Sequence, residues 1–206
     1  MEQTRASRQK AARRQRILKV ALEAFLETGY ADTSMATIAA RVGGSKGTLY
    51  NHVKTKEELF LACIEDFVAT HSKQALSTID SGGRVEDVLI RFCRFFLTVI
   101  TSKTDIALNR LVIAEADRFP AIGSAFFTSV PGLGIQRLAD YLEDAMARGE
   151  LRRENPIRAA RILLGLCQSG TYQEVLFNVA PSPGPRQIAT ETKAVVEAFM
   201  RLYGVS

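Results

Sequence analysis

Apolar residues recur along this chain at the three-and-four spacing of amphipathic helices. From about Gln9 to Thr28 the pattern puts Ile17, Leu18, Ala21, Leu22, Ala24 and Phe25 on one face, and Gly29 closes the run as a C-terminal cap. The stretch from Ser34 to Leu59 then reads as a short helix, a glycine turn, a second short helix and the start of a longer one. Ser34 is an N-cap, and Met35, Ile38, Ala39 and Val42 keep helical spacing until Gly43 and Gly44 break it. Ser45 can cap the next helix, whose Leu49 and Val53 sit four apart and face inward. Thr55 and Glu58 form a capping box for a helix predicted to reach about Ile79, with Phe60, Ile64, Phe67 and Val68 along one face. Gly82 and Gly83 stop it.

The remainder also reads as helix, with no sustained strand alternation. The pattern predicts helices over about 85–101 and 104–118, then 121–130 and 135–148, split at Pro131-Gly132. It predicts two more over 156–178 and 186–203. All six prolines follow residue 119, each at a predicted border or break. The expectation is an all-α fold of about nine helices: a three-helix head and a larger helical C-terminal domain.

Two short helices around a tight turn make a helix-turn-helix, whose second helix enters the DNA major groove. Its outward side suits that task. Lys46, Thr48, Tyr50, Asn51 and His52 offer donors, and Gly47 allows close backbone approach. The net charge of +5 sharpens the picture, because residues 1–60 carry 11 Lys/Arg and 6 Asp/Glu while the rest is neutral. The division expected is a flexible basic arm over 1–9, a DNA-binding domain over 10–70 and a C-terminal domain over 71–206.

SKGTLYNHVKTKEEL, with the preceding GYADTSMATIAARVGG, resembles the recognition signature of the tetracycline-repressor (TetR/AcrR) family of bacterial transcription regulators. The resemblance covers about the first third of the chain. It implies base reading by Lys46 and Gly47 and phosphate or mixed contacts by Thr48, Tyr50, His52 and Lys56, with Ser34 a phosphate-contacting cap. Gly44, Thr37, Ala36 and Asn51 depart from the usual pattern.

Two apolar stripes lie near the C-terminus. Leu163, Leu164, Cys167 and Thr171 form one, beside Gly165, Ser169 and Gly170; Ile188, Val195, Val196, Phe199 and Leu202 form the other. They suit either the chain's own core or a four-helix bundle between two copies. The resemblance favours a homodimer through these last two long helices, on a palindromic double-stranded operator. The phenylalanines Phe92, Phe95, Phe96, Phe126 and Phe127 suit plain core or a cavity lining. The resemblance implies an effector pocket for an apolar or aromatic small molecule, with Phe92, Phe96, Asn109, Arg110, Phe126, Phe127, Gln168 and Tyr172 as candidate lining. The function expected is a ligand-released repressor; the alternative is an activator or effector-independent regulator whose C-terminal domain binds a protein.

The chain offers little to an enzyme. His52 and His71 have no metal partner at ligand spacing, GGSKGT fails the P-loop pattern, and Arg137 occupies the third glycine position of a GxGxxG begun at Gly132. No catalytic residue, metal or cofactor is expected. Cys63, Cys93 and Cys167 read as buried reduced thiols. No apolar run approaches the roughly 18–20 residues of a membrane span, and a cytoplasmic location is expected.

Overall fold

The computed structural model describes residues 2–43, 49–50, 53–79 and 83–205. Among them are helices α1 (Glu2–Thr28), α2 (Met35–Val42), α3 (Lys56–Ile79), α4 (Val85–Ile100) and α5 (Lys103–Glu115). They continue with α6 (Pro120–Ala147), α7 (Pro156–Gln168), α8 (Thr171–Leu176) and α9 (Pro185–Tyr203). The all-α expectation holds. Among the described residues the only β pairing is an isolated bridge between Leu151 and Gly204.

The chain forms two compact units, Met1–Val68 with Leu111–Ser129, and Ala69–Arg110 with Val130–Ser206. In the first, α1 buries the stripe its sequence predicts: Ile17, Leu18, Ala21, Ala24 and Phe25 are sealed from solvent. Ile38 and Ala39 of α2, Leu49, and Leu59, Phe60, Cys63 and Ile64 of α3 complete this core. Burial, with the charge of Asp66 adding to it, pushes the Cys63 thiol up to about 12. Ser34 caps α2 by accepting the Thr37 N–H at 3.1 Å, and Gly43 ends it at φ 74° with its N–H turned back to Ala39 and Ala40.

In the second unit α9 packs on α4 and α7 around Leu89, Phe92, Leu97, Leu138, Leu142, Leu163, Val196 and Phe199. Pro156 and Pro185 open their helices at the first turn, where a missing N–H costs nothing. Asn155 caps α7 through the Arg158 N–H at 2.9 Å. All three cysteines are free and buried. The Cys93 thiol is held well above its usual range by its hydrogen bond with Cys167 and by burial.

Three expectations change. The basic stretch read as a flexible arm continues α1 as helix from Glu2. Helix α6 runs unbroken through Pro131-Gly132. Proline removes one N–H and crowds the carbonyl four residues back, but the turns on either side keep their bonds. The helix expected over 156–178 ends instead at Gln168. Gly170, at φ 62° and ψ −119°, redirects the chain before α8 begins.

Only glycine adopts the Gly170 backbone without strain. Gly170→Ala should therefore destabilise the protein by about 1–2 kcal/mol although a Cβ there would meet no atom within 4 Å. Urea denaturation of the two proteins measures this directly.

Candidate nucleic-acid interface

The flanks of the helix-turn-helix are built from named contacts. Gly29, at φ 84°, turns the chain out of α1 and donates its N–H to the Phe25 carbonyl at 2.9 Å. Buried Thr33 donates to the Gly29 carbonyl at 2.6 Å and meets the Thr28 hydroxyl at 2.7 Å. Ser34 stands exposed at the start of α2, its hydroxyl also 2.9 Å from that of Thr37. On the far side, Val53 donates to the Leu49 carbonyl at 3.1 Å. Thr55 accepts the Glu58 N–H at 3.0 Å, as a capping box requires. Glu58 reaches back one residue further than expected, to the Lys54 N–H at 2.8 Å.

Of the expected DNA-facing residues, Ser34, Tyr50 and Lys56 are described; Ser45, Lys46, Gly47, Thr48, Asn51 and His52 lie outside the described residues. Leu49 is 2% exposed while the adjacent Tyr50 is 46% exposed, so the segment buries one side and presents the other. Lys56 is half-buried. Its ammonium donates to the carbonyls of Tyr30 at 2.8 Å and Ala31 at 3.0 Å, and lies 4.5 Å from the centre of the Tyr30 ring. The side chains of Arg8, Lys10, Arg13, Arg14, Arg16 and Lys19 are exposed along α1, a concentration of positive charge that suits phosphate. An exposed Arg41–Glu27 ion pair at 2.6 Å ties α2 to α1.

The expected effector residues fall into three groups. Phe92 is buried and stacks on half-buried Phe96, with centroids 5.9 Å apart. Asn109, Arg110 and Tyr172 come together where α5 meets α8. Arg110 donates to the carbonyls of Leu176 at 2.8 Å and Val175 at 2.7 Å, and the Tyr172 hydroxyl lies 3.4 Å from Asn109 Oδ1. Phe127 is 76% exposed and Phe126 half-buried, both in the first unit, and Gln168 is exposed at the end of α7.

Sequence reasoning missed the centre of this polar cluster, Asp105. It is buried, and Asn109 Nδ2 donates to its Oδ2 at 2.9 Å. Its backbone N–H donates to Ser102 Oγ at 3.2 Å, so Ser102 and Asp105 occupy the spacing of a capping box. That spacing was the available signal. Burial pushes the Asp105 carboxyl up to about 7, against the opposing effect of the Asn109 amide.

Comparisons with known proteins agree with this layout. Residues 17–63 match the model of bacterial regulatory proteins of the tetR family, and residues 87–205 that of the AefR-like transcriptional repressor C-terminal domain. The HTH-type transcriptional regulator UidR of Escherichia coli K12 is 29% identical over 159 residues, 74% of this chain and 76% of that protein. Two other curated regulators are matched over only 19% and 40% of their own lengths. Among solved structures, a TetR-family transcriptional regulator of Mesorhizobium loti gives a TM-score of 0.86 at 28% identity, covering 95% of this chain and 98% of its own. Flavonoid-responsive Regulator FrrA gives 0.75 at 27% identity, covering 94% and 98%.

Asp105 gives the fold a pH dependence of known sign. Its folded value of about 7 stands above the ordinary 3.8, so the native state holds the proton more tightly than the unfolded chain. The Asp105 contribution is fully present below about pH 4 and is lost as pH rises through 7. Asp105→Asn should therefore be more stable than the parent at pH 8, by roughly 2–4 kcal/mol, and nearly equal to it at pH 4. Thermal unfolding across that range measures the convergence.

Proposed function

We propose that this chain, which belongs to the TetR family of bacterial DNA-binding transcriptional regulators, is a homodimeric repressor released from a palindromic operator by a small-molecule effector. The observation that carries the DNA reading is the head's surface: an exposed capping Ser34, an exposed Tyr50 beside buried Leu49, and the exposed basic residues along α1. Ser34 and Tyr50 would meet phosphates. Lys46 and Gly47 would read bases, with Ser45 capping their helix and Thr48, Asn51 and His52 completing the contacts.

One recognition helix reads few base pairs, so two heads on successive major grooves, about 34–36 Å apart, give a specific site. The exposed faces of α7 and α9 would pair the protomers. Leu202 of α9 is exposed, as is Val205 just beyond its end, and a Cβ at Gly165 of α7 would meet no atom within 4 Å. The effector domain is supported by the AefR-like repressor match and by the name of FrrA, a regulator that responds to flavonoids. An aromatic effector would draw on the Phe92–Phe96 stack or on the donors and acceptors of Asn109 and Tyr172. It would act by binding the DNA-incompatible state more tightly, a population shift through the long helix α3. Among the described residues no helix is long and apolar enough to cross a membrane, consistent with the proposed work in the cytoplasm.

Selection from a random DNA pool should yield a two-fold symmetric site. Lys46→Ala should change the bases selected, whereas Tyr50→Ala should weaken every site by about tenfold without changing preference. Titrating aromatic compounds, flavonoids first, into the protein–operator complex should release the DNA. Release by none would favour an effector-independent regulator with a protein partner. Gly165→Ala should lower dimer affinity in sedimentation equilibrium, since a second helix passing close to Gly165 would meet the added methyl. An unchanged dimer moves the interface away from this part of α7.

A further inference from the structure

The helix-turn-helix spans Ser34 to Val53, and its function requires that its two ends be held in a fixed relation to each other. Residues just outside both ends provide this. Lys56 opens α3, three positions beyond Val53. Tyr30 and Ala31 lie in the turn four and three positions before Ser34. The Lys56 ammonium joins these flanks by donating to the Tyr30 and Ala31 carbonyls at 2.8 and 3.0 Å, with the Tyr30 ring 4.5 Å from it. These carbonyls follow the end of α1 and have no helix to bond within.

The ring under the ammonium is itself gripped. Tyr30 is 3% exposed and meets Phe25 at 5.6 Å, Phe60 at 5.1 Å and Phe119 at 4.9 Å, the last edge to face. Phe25 and Phe60 belong to the helices flanking the reading unit. Phe119 comes from the corner between α5 and α6, within the same compact unit, with the Arg118 guanidinium 5.3 Å from its ring centre.

We infer that Lys56 is a positioning residue for DNA reading: a clasp that fixes both flanks of the helix-turn-helix, braced by Phe119 through the Tyr30 ring. Two of its three N–H donors are engaged by main-chain carbonyls and the charge rests on an aromatic face, so its service to DNA runs through the turn rather than through a phosphate. A shift of either flank displaces the residues that read bases, whose hydrogen bonds fail within a few tenths of an ångström. The clasp rests on DNA binding by the head.

Salt dependence separates the two roles. A lost phosphate contact reduces the slope of log affinity against log salt by about 0.9 per contact, whereas a lost positioning contact lowers affinity at every salt equally. The probe is the duplex that the full-length parent selects from a random pool. Lys56→Met, which keeps the stem over the ring, should bind it about 5–30-fold more weakly with the salt slope unchanged. Phe119→Ala should weaken it about 3–10-fold, again with unchanged slope, and the double variant should lose less than the product of the two. Amide exchange at Ala31–Ile38 should rise in Lys56→Met with no DNA present. A slope flattened by about one per subunit, or unchanged exchange at Ala31–Ile38, would overturn the clasp. Binding by Phe119→Ala at the parent's affinity would overturn the brace. If the parent enriches no sequence, DNA reading itself fails and the clasp is withdrawn as a DNA device, while the exchange result still reports whether it holds the turn.

Discussion

One ammonium on two main-chain carbonyls holds the shape on which the head's function depends. The helix-turn-helix is too small to bury a core of its own; its short helices contribute Ile38, Ala39 and Leu49 to a core otherwise built by α1 and α3. Its orientation is therefore set by how α1 and α3 are joined, and beside their apolar packing the joining contacts include the Phe25–Tyr30–Phe60 aromatic cluster, the Cys63 thiol on the Leu18 carbonyl, and Lys56 on the turn that follows α1. Apolar packing is broad and tolerant of small shifts. The hydrogen bonds from Lys56 are directional, so they choose one arrangement among those the aromatic cluster would accept.

The second unit combines the same ingredients in different proportion. Its core is apolar and continuous from Leu89 to Phe199, and α9 lies against two of its helices. Helix α8 is held differently. Thr171 donates to Glu191 at 2.9 Å, Tyr172 meets Asn109, and Arg110 holds the Val175 and Leu176 carbonyls. Such bonds exchange readily for water or for a ligand's polar atoms, whereas buried apolar surface does not. Asp105 adds a carboxylate with Asn109 as its hydrogen-bonding side chain, in a place where charge is costly. A polar cluster of this kind is where a bound molecule could most readily change the fold's preferences.

The fold was largely legible because amphipathic spacing and caps are local signals. Ser34, Gly43, Asn155, Pro156 and Pro185 all act where their chemistry predicts. The misreadings come from places where a local rule met a longer-range one. Pro131 reads as a break, yet α6 continues because the surrounding turns retain their bonds. Gly170 reads as a small residue in a stripe, and its positive φ belongs to the path of the chain. The candidate sites were legible to a lesser depth. Lys56 was visible as a cation in the right place, but its partners are backbone carbonyls, which carry no residue identity and so leave no trace in a sequence. Tyr30 and Phe119 lie 89 positions apart and Asp105 and Tyr172 lie 67 apart, and no periodicity connects them.

The proposed effector response obeys linkage whatever its route. A ligand that binds the DNA-incompatible state more tightly must itself be disfavoured by operator DNA, and by the same free energy. Within the head, the arrangement that DNA would favour is the one in which the Lys56 ammonium closes on the Tyr30 and Ala31 carbonyls while Phe119 stands against the Tyr30 ring. Directional bonds of this kind hold one geometry or none, whereas apolar packing yields by degrees. On the proposed reading, the contact that makes the head accurate is therefore the one whose loss would cost it DNA.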